Sequence, residues 1–84
     1  MSNIDRQELM DYADDICRYF TKLGLSNFSH YTIKGNIIKF YFIIDEEEKC
    51  YAIDGEIYKN FINAMPFEVA SYIQYFVDSK IEMM

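Results

Sequence analysis

The chain has 84 residues, 51% of them hydrophobic and 18% aromatic, with 14 acids against 8 bases and a formal net charge of −6. That length makes one domain, residues 1–84, able to bury a modest core without metals or disulfides. The hydrophobic content excludes a disordered chain, and the acidity disfavours direct binding to nucleic acid or an anionic membrane, which both need a cationic footprint.

The first ten residues are polar and charged, with no apolar signal core. The longest apolar run, 40–44, is far too short to cross a bilayer. A soluble, cytoplasmic protein is expected. After a short tail, Met1 to Asn3, Asp5 can cap a helix with Glu8 in a capping-box position. Leu9, Ala13, Ile16, Phe20 and Leu23 recur at three and four, which is the stripe of an amphipathic helix. Gly24 ends it as a left-handed residue, and Leu25 folds back against it.

A three-stranded antiparallel meander is predicted from Phe28 to Ile53, after a connector over 25–29. Gly35-Asn36 between two apolar runs signals a type II′ hairpin turn. That turn places Ile33 opposite Ile38, Tyr31 opposite Phe40 and Ser29 opposite Phe42. One face then carries Tyr31, Ile33, Ile38, Phe40, Phe42 and Ile44, the expected core. The other carries His30, Thr32, Lys34, Ile37, Lys39, Tyr41 and Ile43, and is expected to be wet. A one-residue slip would bury Lys39, so the register is well specified. Asp45, Glu46, Glu47 and Glu48 cannot be buried together and form an exposed tip. A four-residue loop there sets Tyr51 opposite Phe42 and Ile53 opposite Phe40. Cys50 and Ala52 then point away from the core.

Asp54-Gly55 is either a type I′ turn into a fourth strand or the cap and first turn of a helix. Ile57, Tyr58, Phe61, Ile62 and Met65 recur at helical spacing and favour the helix. Pro66 then stops or kinks it and suits the first position of a new helix. Val69, Ala70, Ile73, Phe76 and Val77 give that last helix its buried stripe, with Glu68, Tyr72, Tyr75 and Ser79 along another side. Residues 81–84 fray. The predicted class is α+β: a three-stranded antiparallel meander packed against helices, in the order αβββαα, or αβββα if Pro66 only kinks one long helix.

No catalytic or metal signature stands out. The one histidine, His30, pairs with Tyr41 in this register and Cys50 with Ile43, so a Cys–His dyad is out of reach. Zinc needs about four close ligands, and none cluster. The run 45–48 lacks the spacing of a calcium loop. Three glycines, at 24, 35 and 55, open no phosphate-binding loop. Cys17 and Cys50 read as free thiols. No enzyme, metal or cofactor is expected.

The acids are the most informative feature. Glu8, Asp11 and Asp15 form one ridge of the first helix with Asp14 beside it, where like charges disfavour the helix by roughly 0.2–0.5 kcal/mol per pair. Arg18 can relieve Asp14. Asp45, Glu46, Glu47 and Glu48 make a second cluster, and Asp54 and Glu56 lie at the other end of the sheet. These are either a solvated face with Asp54 as a helix cap, or a carboxylate array that stands in for nucleic-acid phosphates on a basic partner. Tyr41, Tyr72 and Tyr75 are candidate interface anchors, or rings that cap the core edge. Ile37, Tyr41 and Ile43 could form a dimer seam on the open sheet face.

The αβββα order is also that of double-stranded RNA-binding domains, which need lysines at the start of the last helix; here that start is Pro66-Phe67-Glu68. In length, acidity and αβββαα order the chain resembles the small acidic anti-CRISPR proteins that inhibit RNA-guided nucleases. The runs Cys50-Tyr51-Ala52-Ile53-Asp54 and Phe61-Ile62-Asn63-Ala64-Met65 resemble their last strand and following helix. The resemblance implies a phage-encoded inhibitor whose acidic side chains occupy the site where the nuclease reads duplex DNA. The resulting expectation is a non-enzymatic inhibitor that binds a protein with a basic surface, such as a nucleic-acid-binding enzyme. The alternative is a homo-oligomeric structural or adaptor module using the open sheet face.

Overall fold

The computed structural model describes residues 4–82, with side chains through Asp78. The expected tail at Met1 to Asn3 lies outside the described residues, as do 83–84 of the expected fraying at 81–84; residues 81–82 do not fray but remain in the last helix. Helix α1 runs Arg6–Lys22 and opens on Asp5, whose carboxylate accepts the Glu8 amide at 2.8 Å. Ile4 and Leu9, the flanking pair of a hydrophobic staple, are both buried. At the far end Gly24 takes φ +81. The Leu25 amide reaches Phe20 O at 3.0 Å and the Gly24 amide reaches Thr21 O at 3.1 Å. These are the two bonds of a Schellman motif, which satisfies carbonyls the helix leaves open. Of the predicted stripe, Leu9, Ala13, Ile16 and Phe20 are buried and Leu23 packs half-buried against them.

Strands β1 (Phe28–Lys34), β2 (Ile37–Ile44) and β3 (Glu47–Asp54) form one antiparallel sheet in the order β1-β2-β3. Gly35 has φ +61 and Asn36 is not in the positive region, as a type II′ turn requires. Ile33 faces Ile38 and Tyr31 faces Phe40 as predicted. Ser29 does not face Phe42, however. A register shift between Phe28 and His30 puts Phe28 there instead, so a Phe ring joins the core from β1.

The second hairpin also differs from expectation. Its loop has two residues, Asp45 (φ 53) and Glu46 (φ 66), both left-handed as in a type I′ turn, and Glu47 and Glu48 belong to β3. Tyr51 therefore faces Phe40 and Ile53 faces Ile38. Two loop residues fewer move the register by two, which preserves parity, so Tyr51 and Ile53 still point inward. The strand tolerates the acids because they stay in water: Glu47 and Glu48 are exposed, and Lys49 pairs with Glu47 at 2.9 Å. The shorter twist-matched turn wins over the longer loop.

The segment after β3 is helical as predicted and completes the order αβββαα, but the helix is short and packs little on the core. Asp54 does cap it, accepting the Ile57 amide at 3.1 Å. The chain is α-helical at 55–56 and continues as one π-helical turn, Ile57–Phe61, closed by Ile62 N to Ile57 O at 2.8 Å. Asn63 turns left-handed (φ 58), and the Ala64 amide reaches back to Tyr58 O. Of the residues at helical spacing only Tyr58 packs on the core, while Ile57, Phe61, Ile62 and Met65 are exposed.

Pro66 separates two helices rather than kinking one. It is the first residue of α2, Pro66–Glu82. Glu68 reaches back to the Met65 amide at 2.9 Å, half of a capping box. Val69, Ala70, Ile73 and Val77 are buried as predicted, and Phe76 is half-buried. The two 17-residue helices lie side by side over the inner sheet face, where Phe20, Phe40, Phe42, Ile16 and Ile38 are fully buried. Each large apolar side chain so enclosed is worth roughly 1.5–3 kcal/mol. Among the described residues no helix is long and apolar enough to cross a membrane.

Candidate functional site

The acidic ridge of α1 borders a trough. One wall is Glu8, Asp11 and Asp15; Tyr12 forms the floor; Lys59, Asn63, Ala64, Met65 and Pro66 form the opposite wall, enclosing about 490 Å³. Tyr12 fixes the two walls together. Its ring is buried and its hydroxyl donates to Ala64 O at 2.6 Å. Burial pushes the Tyr12 phenol up to about 12, with Glu68 and Tyr58 adding to the shift. The neutral, donating form is therefore the one the fold selects.

Three carboxylates face one cation here, Lys59, which lies 3.7 Å from Glu8. Gln7 donates to Asp11 at 3.0 Å. A second hollow shares Asp15, Met65 and Pro66 and continues along Arg18, Tyr19, Lys22 and Phe67. Arg18 pairs with Asp15 at 3.5 Å, not with Asp14 as the sequence suggested; Asp14 accepts the Tyr31 hydroxyl instead. Lys22 sits over the Tyr19 ring, which packs edge-on against Phe67 at 5.4 Å. The trough is thus acidic at one end and basic at the other.

The segment that forms the far wall exposes several apolar side chains: Met65, 63% exposed, lines the trough itself, Phe67 lines the adjoining hollow, Ile62, 59% exposed, lines a separate hollow with Tyr58 and Tyr72, and Phe61 (73%) and Ile57 are also exposed. This belt was missed by helical periodicity. The signal that could have found it was Asn63, which ends a helix in the left-handed region three residues before Pro66.

The structure does not bring all predicted site residues together. Asp14 turns toward the sheet and accepts the Tyr31 hydroxyl at 2.7 Å. Burial, then that bond to Asp14, pushes Tyr31 up to about 12. Asp45, Glu46, Glu47 and Glu48 lie at the opposite end of the sheet from Glu8, about 25 Å along an eight-residue strand. They cannot join the ridge in one array. Asp54 caps the π turn, and Glu56 accepts from Asn36 at 3.3 Å. Tyr72 and Tyr75 are exposed on α2, both edge-on to Phe76.

On the outer sheet face His30 and Tyr41 stack 4.6 Å apart at 10°. Tyr41 faces both His30 and Cys50, so Cys50 does not pair with Ile43 as the longer loop implied. His30 and Cys50 are then two strand spacings apart, about 10 Å. Cys17 and Cys50 are free thiols. Burial, then Asp14, pushes Cys17 up to about 12, which leaves it a thiol at neutral pH. Among the described residues no group of three His, Cys, Asp or Glu side chains is placed to hold a metal ion.

Comparison with protein families, with characterised proteins and with solved structures finds no match to this chain.

Proposed function

We propose that this chain is a small, non-enzymatic binding protein that inhibits a nucleic-acid-binding protein in the cytoplasm by occupying its basic surface. The observation that carries this reading is the trough, where Glu8, Asp11 and Asp15 stand opposite the exposed side chain of Met65. Carboxylates steer a basic partner, and desolvated apolar anchors supply contact energy. A partner surface evolved for phosphates offers the cations this wall complements. The acids at 45–48 act at long range only.

The test uses immobilised protein, with capture from its native host compared between the wild type and Asp11→Lys/Asp15→Lys. The wild type should retain a nucleic-acid-binding protein, release it as salt rises, and compete with that protein's own nucleic acid. The double variant should lose it while keeping the fold. Asp14→Asn should change little, since Asp14 serves Tyr31. A partner held equally by the double variant overturns the reading.

A second reading, self-association through the outer sheet face, is favoured by exposed Ile43 beside the His30–Tyr41 stack. Light scattering decides it: a dimer that Tyr41→Asp dissociates.

A further inference from the structure

The far edge of β3 is an open strand template. Gly55 N bonds to Asn36 O at 2.7 Å, which fixes the phase of the β2–β3 ladder. Asn36 and Gly55 continue the register in which Ile38 faces Ile53 and Phe40 faces Tyr51. In an antiparallel ladder the bonded pairs recur every second residue. Lys49, Tyr51 and Ile53 therefore turn their amides and carbonyls to β2. Glu48, Cys50 and Ala52 turn theirs outward, and among the described residues no strand pairs there.

The two sheet edges differ. The register shift between Phe28 and His30 blunts β1, as bulges do on edges that must not pair. Strand β3 keeps an unbroken register over eight residues, with no proline. Beside its inner face stands an aromatic wall: Tyr51 packs on Phe76 at 5.2 Å, and Tyr72 lies edge-on to the same ring. Carboxylates bracket the edge, with Glu46 and Glu48 at one end and Asp54 at the other. The one cation between them, Lys49, is held by Glu47.

We propose that the β3 edge binds an extended segment of a partner protein as a fourth strand, one with alternating apolar residues at its centre and Lys or Arg at both ends. Main-chain bonds to Glu48, Cys50 and Ala52 hold the segment. Its inward side chains lie along Tyr51 and Tyr72, and its terminal cations meet the bracketing acids. Strand addition of this kind draws affinity from the backbone and specificity from alternate side chains. A second copy of this chain fits less well, because its own β3 would bring the same acidic ends and a net charge of −6. This site is separate from the trough and does not depend on it.

The probe is a fluorescein-labelled peptide, Lys-Lys-Val-Thr-Val-Thr-Val-Lys-Lys, with binding to the whole protein read by fluorescence anisotropy. Replacing its lysines by Glu should weaken binding by about tenfold or more, since several opposed charges change sign. Ala52→Pro removes an outward amide at an edge position where proline is tolerated, and should weaken binding about tenfold. Methylating alternate peptide amides in two complementary sets leaves the protein untouched; one set should abolish binding and the other spare it. Asp11→Lys/Asp15→Lys should leave this binding unchanged, which separates it from the trough. Equal binding of both methylated sets, or of the Glu-flanked peptide, overturns the proposal. A dimer that Ala52→Pro splits gives the edge to a second copy and also overturns it.

Discussion

The inward side chains of β2 and the apolar side chains between β3 and α2 are chemically alike and sit in opposite surroundings. Ile38, Phe40 and Phe42 are 0–1% exposed, whereas Phe61, Ile62 and Met65 are mostly in solvent. Both stretches have the right period for a buried face. Period selects a face but does not supply a surface to cover it. Three strands about 4.8 Å apart make a sheet about 10 Å between outer strands, and its length is about 25 Å. Two 17-residue helices, each about 25 Å long and packed 8–10 Å apart, already cover that area. A third core helix has nowhere to lie.

The sharpest break of this comparison is a matched pair of truncations. Phe40→Ala removes a ring that touches Phe20, Phe28 and Tyr31 with no solvent access. It should cost about 3–5 kcal/mol in urea denaturation. The same change at Phe61 should fall within about 0.5 kcal/mol. Equal costs would mean that the segment between β3 and α2 is core after all.

Next in size is Gly55→Ala, at the joint between the two regions. The new methyl would press on the buried Leu9 side chain and lie 3.0 Å from Ile38 Cδ1. Overpacking of this kind costs about 1–3 kcal/mol. A Leu9→Ala background should relieve part of the Gly55→Ala penalty, and additive losses would show that the strain lies elsewhere.

Smaller again is the pin between the regions. Tyr12 and Cys17 are both raised to about 12 in the fold. A raised pKa means the fold favours the neutral form. Their contribution is therefore complete below the unfolded values, near about 10 for Tyr and 8.5 for Cys, and is lost as pH climbs through about 12. Stability measured in urea should be flat from pH 7 to 8 and decline above pH 9. Tyr12→Phe should cost about 1 kcal/mol at pH 7 through the lost bond to Ala64 and make the alkaline decline shallower. An unchanged decline would remove Tyr12 from the account.

Much of this contrast was legible in the residues, and the gaps have physical causes. Asp5, Gly24, Gly35 and Pro66 carry local backbone chemistry, so the ends of α1, the first turn and the start of α2 were readable directly. The inward face of β3 survived a wrong loop length because parity, not loop length, decides the face. The bulge at Ser29 was invisible, since it depends on Phe28 finding space against Phe20 and Phe42. The acidic ridge was legible as spacing. Its opposite wall was not, because that wall exists only where the segment between β3 and α2 fails to find a core. Tyr12 was likewise silent, as its partner is a backbone carbonyl 52 residues away.

The smallest change in stability should accompany a large change in binding. Phe61→Ser/Ile62→Ser removes two exposed side chains that support no part of the core. Burial on folding gives them almost nothing, so the urea midpoint should move by no more than about 0.5 kcal/mol equivalent. Exposed apolar side chains on the segment that also carries Met65 are costly to leave in water and gain when a partner covers them. Hot-spot side chains of this kind are worth about 1–2 kcal/mol or more on truncation, so affinity for the captured partner should fall about tenfold or further. The reverse pattern, a large loss of stability with binding intact, would place the segment between β3 and α2 with the strands and remove Phe61 and Ile62 from the partner surface.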